Sequence, residues 1–232
     1  MNRKTIFRAR VLRHVSRMSG LATLLVALAF GAHPAAAQSA ADSAEPMRTA
    51  GLPQPLELVR SSVTRAVAIV RSQPSGDSES EDRRAEFRHV AGELFDFDDM
   101  SRRILAQHWT GATSQEQDEF VLLFTGLLER VYIKTIGNYA LMTMSFQGES
   151  VLDSYAQVWS RMTTEKGRDV SIVYRLFESD RRWSVYDVVV DGVSLISSYR
   201  SQFSSILRRS TFAQLLEGMR SREAHVVSRR SP

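Results

Sequence analysis

The fold is decided by residues 183–207, which read Trp-Ser-Val-Tyr-Asp-Val-Val-Val-Asp-Gly-Val-Ser-Leu-Ile-Ser-Ser-Tyr-Arg-Ser-Gln-Phe-Ser-Ser-Ile-Leu. The first eight residues are typical of a strand, which turns at Asp191-Gly192 into a helix beginning near Ser194. The other face of that helix is almost wholly serine, glutamine and arginine. Such a pattern favours a concave sheet with a helix across its mouth, enclosing either an apolar ligand or an ordinary core. The apolar stripe of the helix, at three- and four-residue spacing, comprises Leu195, Ile196, Tyr199, Phe203, Ile206 and Leu207.

The remaining periodicity predicts helices first, then strands, then two closing helices. Thr113 and Glu116 form a capping-box pattern at the start of the longest helix. Short polar links between the strand-like runs predict antiparallel hairpins. We therefore predict an α+β domain: a curved antiparallel sheet of about four strands, packed against N-terminal helices and closed by C-terminal helices. Helices are predicted at about 56–71, around 87–94, at 97–109 and at 114–139, with a polar linker at 73–82, and strands at 143–151, 155–164, 169–178 and 183–190.

The N-terminus has the features of an export signal. Six basic residues between Arg3 and Arg17 precede a short apolar run at 21–32 and the small-residue site Ala35-Ala36-Ala37. That run is shorter than the roughly 20 residues that span a bilayer, so cleavage is favoured over a membrane anchor. We predict a signal peptide at 1–37, a disordered leader at 38–55, one domain at 56–225, a flexible tail at 226–232, and a periplasmic protein.

Charge and cysteine content exclude several classes of protein. The chain has 30 Lys+Arg and 26 Asp+Glu, and removing the six basic residues of the signal leaves 24 against 26, a formal charge of −2. The remaining arginines are scattered, so the concentrated basic surface that nucleic-acid binding needs is absent from the sequence. There is no cysteine, which excludes disulfides and thiol chemistry.

Catalytic and metal-binding patterns are weak. Three histidines, His89, His108 and His225, follow the signal without metal-ligand spacing. The run 95–100, Phe-Asp-Phe-Asp-Asp-Met, could be a metal motif, but N-capping of the next helix explains its acids better. Buried acids in an isomerase-like pocket stay open as an alternative, with Asp153, Asp187 and Asp191 as the candidates. The sequence thus indicates no catalytic residue, no metal and no cofactor.

Two long blocks of the sequence resemble the MlaC family. The first runs from Phe95 to Phe120, and the second covers residues 183–216, including Asp-Gly-Val-Ser-Leu-Ile and Phe-Ala-Gln-Leu-Leu. This family comprises periplasmic phospholipid-binding components of the Mla lipid-asymmetry ABC transport system, also called the toluene-tolerance family. Ala106, where many members have Gly, and Asp191, where Glu is usual, depart from its pattern and are compatible with a hopanoid-associated sub-branch.

The resemblance implies an NTF2-like or cystatin-like pocket and a periplasmic carrier for lipid tails. The expected partners are a phospholipid or related lipid, an inner-membrane ABC transporter with its substrate-binding ring, and an outer-membrane lipoprotein complex. We expect a monomer without a nucleic-acid partner. The alternatives are a hopanoid-type carrier, or a small enzyme of similar shape with Asp187 or His108 as general base. The expected lipid-binding residues are Phe120, Phe124, Leu127, Val131, Val158, Met162, Ile172, Tyr174, Tyr186, Val188, Leu195, Ile196, Tyr199 and Phe203.

Overall fold

The computed structural model describes residues 54–71, 77–138, 143–164 and 167–228. The predicted signal peptide, most of the predicted leader and residues 229–232 lie outside these ranges. Among the residues described, every helix is too short or too polar to span a bilayer. The helices are α1 (Pro55–Arg71), α2 (Asp77–Leu94), α3 (Phe97–Leu105), α4 (Ser114–Asn138), α5 (Leu195–Leu207) and α6 (Phe212–Ser228), with a 3-10 turn at Ala106–His108.

The strands form one antiparallel sheet in the order β1-β2-β3-β4-β5. The α+β prediction is confirmed, with a short fifth strand after the predicted four. Bulges at Phe146/Gly148 in β1 and opposite Arg175/Leu176 in β4 bend the sheet, because an extra residue on one strand kinks it. The strands are β1 (Thr143–Leu152), β2 (Tyr155–Thr163), β3 (Asp169–Ser179), β4 (Arg182–Val190) and β5 (Val193–Ser194).

Three helix boundaries differ from the sequence prediction. α2 already begins at Asp77, inside the segment predicted as a linker, and its first turn carries the acids that the N-terminal dipole favours. α3 ends at Leu105 rather than near Trp109, because Ala106 has a positive φ of 48° that ends the α-helix. α6 extends to Ser228, into the segment predicted as a tail.

Side-chain caps fix several of the connections. Asp96 is the N-cap of α3 and accepts a 2.8 Å hydrogen bond from the Asp99 backbone N–H, as predicted. The Thr113 hydroxyl accepts from the Glu116 N–H while the Glu116 carboxylate accepts from the Thr113 N–H, so the capping box is confirmed. These caps set where the helices that flank the sheet begin.

Buried apolar side chains are concentrated in two main regions. One, which we call the helical core, lies between α3, α4, α5 and α6 and contains the fully buried Phe120, Phe124, Phe203 and Leu215. The other lies between α1 and one half of the inner sheet face, where Val59 meets Val158, Leu176 and Val185. The other half of that sheet face is not filled by side chains, and this is where the candidate site lies.

Candidate functional site

A cavity of about 260 Å³ lies between the inner face of the sheet and helices α1 to α4. On the sheet side, the cavity wall is formed by the ends of the strands that lie farthest from the β1–β2 hairpin. There Met144 pairs with Met162, Ile172 with Val190, and Tyr174 with Val188. The lining residues are Ser62, Val63, Ala66, Val67, Phe87, Arg88, Val90, Ala91, Leu94, Phe95, Phe97, Met100, Thr125, Leu128, Glu129, Met144, Met162, Ile172, Tyr174, Val188, Val190 and Leu195.

The wall of the cavity is almost wholly hydrocarbon. Valine, isoleucine, leucine, methionine and phenylalanine dominate it, and Arg88 and Glu129 are the charged members among the described lining residues. An apolar cavity of this kind excludes water, because water needs several polar partners to occupy a site. Its chemistry suits a hydrocarbon chain rather than a polar metabolite.

One polar group lies deep in the wall. The Tyr174 phenol is buried, and burial raises its pKa to about 12, although a hydrogen bond with the Ser160 hydroxyl acts in the opposite direction. The phenol therefore stays protonated at neutral pH. The neutral phenol adds no charge to the part of the cavity wall that the sheet forms.

The structure places five of the fourteen predicted lipid-binding residues around this cavity. They are Met162, Ile172, Tyr174, Val188 and Leu195. The first four share the inner face of the sheet, since side chains two apart on a strand point the same way. Leu195 is the first residue of α5 and lies at the edge of the same wall. That these residues contact lipid stays a prediction.

Most of the other nine predicted residues belong to solid core. The helical residues fill space between helices: Phe120 and Phe203 have ring centroids 5.2 Å apart, and Phe124 and Tyr199 are 5.3 Å apart. α4 has a wide apolar face, and its cavity side is formed by Thr125, Leu128 and Glu129 instead. Outside the described cavity lining are Phe120, Phe124, Leu127, Val131, Val158, Tyr186, Ile196, Tyr199 and Phe203.

Two of these nine are strand residues, and they lie outside the cavity lining for different reasons. Tyr186 is the extra residue of the β4 bulge, so the inner face passes from Val185 directly to Val188. The Tyr186 ring lies on the outer face, 6.2 Å from the Phe177 ring centroid and 4.1 Å below the Arg103 guanidinium. Val158 does lie on the inner face but in the filled half, against Val59 and Leu176.

Sequence reasoning missed the lining residues of α1 and α2, and also Phe95, Phe97, Met100, Thr125, Leu128, Glu129, Met144 and Val190. Val63 and Val67 of α1, and Phe87, Val90 and Leu94 of α2, line the cavity opposite the sheet. Their helical spacing was visible in the sequence as ordinary apolar stripes. No sequence signal distinguishes a stripe that faces a cavity from one that faces core.

Neither candidate base faces the cavity. The Asp187 carboxylate is buried on the outer side of β4, where it accepts hydrogen bonds from the Ser194 hydroxyl (2.7 Å), the Ile196 N–H (3.1 Å) and the Arg175 guanidinium (3.2 Å). These bonds join β4 to the start of α5. His108 lies half-buried in the 3-10 turn, also outside the cavity lining.

Comparison with known proteins agrees with this architecture. The family described as "MlaC protein" matches residues 60–221. The chain belongs to the MlaC family. No curated protein matches it. Among solved structures, a phospholipid-binding protein from Ralstonia solanacearum, in complex with a phospholipid, is similar with a TM-score of 0.66 and 22% identity over 75% of this chain and 99% of that one. At that identity the likeness establishes a shared fold for this MlaC-family chain.

Proposed function

We propose that this protein is a periplasmic lipid carrier, which holds phospholipid acyl chains in its cavity and moves the lipid between membrane complexes. The observation that carries the proposal is the apolar cavity between the sheet and α1 to α4 in a chain of the MlaC family. The donor and acceptor would be an outer-membrane lipoprotein complex and an inner-membrane ABC transporter with its substrate-binding ring.

The energetics of lipid transport explain the need for such a cavity. Exposing hydrocarbon to water costs about 0.8 kcal/mol per methylene, so a lipid with on the order of 30 methylenes costs roughly 24 kcal/mol unshielded. Binding has to offset most of that cost before the lipid leaves a bilayer. A wall of valine, isoleucine and methionine provides this shielding without any covalent step.

The size of the cavity implies that it widens on loading. Its 260 Å³ is below the roughly 300–1,000 Å³ of pockets that enclose drug-sized ligands, and two acyl chains need more room. Val59, near the start of α1, and Leu94, at the end of α2, are packed against the sheet. The rest of the two helices shares only a small cluster, with Ile69, Phe87 and Val90 buried beside Ala66 and Ala91. We infer that this part of α1 and α2 shifts outward when lipid enters.

The enzyme alternative has no comparable support. Asp187 accepts three hydrogen bonds on the outer side of β4, and neither Asp187 nor His108 is among the described lining residues. In the described ranges no group of three or more acidic or histidine side chains is arranged to hold a metal ion. A binding protein is therefore the proposal that these residues favour.

Native mass spectrometry of the protein purified from cells tests lipid binding. We expect a mass adduct that extraction identifies as a two-tailed phospholipid. A hopanoid in its place would keep the carrier but change its ligand. Protein that emerges bare, and stays bare after incubation with phospholipid vesicles, would contradict the proposal.

Transport needs a separate experiment. Donor and acceptor vesicles held on opposite sides of a dialysis membrane should exchange labelled phospholipid at a rate that rises with protein concentration. If the protein binds lipid yet leaves that rate unchanged, it stores lipid and does not carry it.

A further inference from the structure

An ion pair lies at the edge of the apolar cavity. The Arg88 Nε of α2 donates a 2.9 Å hydrogen bond to the Glu129 carboxylate of α4. Both residues line the cavity, and they are the charged members of its described lining. The Arg88 side chain is 51% exposed and that of Glu129 15% exposed, so the pair lies where the cavity meets solvent.

The geometry of the pair leaves the outer part of the guanidinium unused. Glu129 takes only Nε, and in the described part of the chain the two terminal nitrogens of Arg88 make no hydrogen bond. These nitrogens form a planar fork that matches two oxygens of a phosphate group. Glu129 meanwhile restricts the rotation of the long side chain, which reduces the entropy lost when a ligand binds.

We propose that Arg88 binds the phosphate of the lipid whose tails occupy the cavity, and that Glu129 holds the guanidinium in position for it. This inference rests on the proposed carrier function and adds a recognition residue to it. A phosphate beside Arg88 stays partly hydrated, while the acyl chains pass inward toward Val90 and Leu94 of the same helix. The Arg88–Glu129 pair has no net charge, so recognition acts through short-range hydrogen bonds rather than a long-range field.

A competition experiment tests this role. The protein is stripped of lipid and offered phosphatidylglycerol and diacylglycerol with the same two acyl chains, and native mass spectrometry gives the ratio bound. We expect the wild type to favour the phosphate-bearing lipid by about fivefold to tenfold, the range of a partly exposed charge-assisted pair. Arg88→Gln should bring that ratio close to about one, and Arg88→Lys, which keeps the charge without the fork, should give an intermediate value.

Two further variants separate recognition from loss of the ion pair. Glu129→Gln keeps an acceptor for Nε and should keep the preference, whereas the double variant Arg88→Gln/Glu129→Gln should lose it without leaving an unpaired charge. Arg65→Gln is the matched control: Arg65 is also 51% exposed and paired, at 2.6 Å with Glu93, but it is not among the lining residues.

The possible outcomes are distinct. An unchanged lipid ratio in Arg88→Gln, or an equal loss in Arg65→Gln, overturns the role of Arg88 while the carrier function stands. A wild type that binds neither lipid overturns the carrier function, and this inference with it. Thermal unfolding is measured for each variant, and if Arg88→Gln is destabilised, the double variant and Arg88→Lys decide the result.

Discussion

The helical core and the cavity wall are both built from buried apolar residues, but only the first is filled. In the helical core, Phe120, Phe124, Tyr199 and Phe203 interlock with ring centroids 5.2–6.4 Å apart. The cavity wall instead carries mostly aliphatic side chains from the sheet, such as Ile172, which stand opposite α1 and α2 across open space.

The difference shows how one domain combines rigidity with room for a ligand. Edge-to-face aromatic pairs fill space at high density and contribute about 0.5–1.5 kcal/mol beyond the area they bury. Aliphatic residues on a sheet can be held apart from the opposite helices by the backbone, and the bulge at Tyr186 kinks β4 within this wall. Stability is thus concentrated in the helical core, and the wall is free to face a ligand.

Truncation of a core aromatic gives the largest expected effect. Phe203 is fully buried and touches three other rings, so Phe203→Ala should lower the free energy of unfolding by about 3–5 kcal/mol. Ile172→Ala, at the cavity wall, should cost less, about 1–2 kcal/mol, because this half-buried side chain partly faces a space already empty. Urea denaturation of the lipid-free protein measures both. Equal costs would contradict the contrast between filled core and hollow wall.

Filling the cavity from the wall is the second way to test the comparison. Val188→Trp should displace lipid and reduce the bound fraction at least about tenfold, while the free energy of unfolding changes by no more than about 1 kcal/mol, since the indole enters existing space. Native mass spectrometry and urea denaturation give the two readings.

Val173→Trp is the matched control for that substitution. Val173 is half-buried on β3 and pairs with Val189, which places its side chain on the outer face of the sheet. The Val173→Trp substitution should therefore leave the lipid-bound fraction unchanged. Full lipid occupancy in Val188→Trp would show that the ligand occupies another place.

The sequence predicts the fold further than it predicts the cavity. Strand and helix order follow from local periodicity, turn residues and caps such as Asp96, so these could be predicted closely. The position of Tyr186 on the outer face could not be predicted, because a bulge changes the face on which a side chain lies without changing the alternation of residue types. Phe120 and Phe203, which are core residues, could not be distinguished from cavity-lining residues either. Periodicity shows that a side chain faces inward, but not whether a side chain on the opposite element contacts it.

A smaller effect is expected from the buried carboxylate of Asp187. Asp187→Asn keeps the shape but removes the charge that accepts from Arg175, Ser194 and Ile196, so the free energy of unfolding should fall by about 2 kcal/mol. Because Asp187 lies outside the cavity lining, the lipid-bound fraction should not change. A variant that folds as stably as wild type but loses lipid would assign Asp187 a role in the site.

The smallest expected effect is a change in stability at alkaline pH, and it involves one tyrosine from each region. Burial raises the pKa of both Tyr174, at the cavity wall, and Tyr199, in the helical core, to about 12 from the ordinary 10. The folded state therefore holds both phenol protons above pH 10 while the unfolded state loses them, so each tyrosine lowers stability as pH rises from about 10 to 12 and has no effect below that range.

A dry, lipid-free cavity should make the two tyrosines behave alike. Because the apolar cavity excludes water, the phenols of both Tyr174 and Tyr199 should stay protonated at about pH 11 in protein stripped of lipid. Tyrosinate absorbance at that pH, with Tyr174→Phe and Tyr199→Phe to assign the signals, measures this. Ionisation of Tyr174 alone would mean that water enters the cavity when lipid is absent, and that the wall is more open than the core.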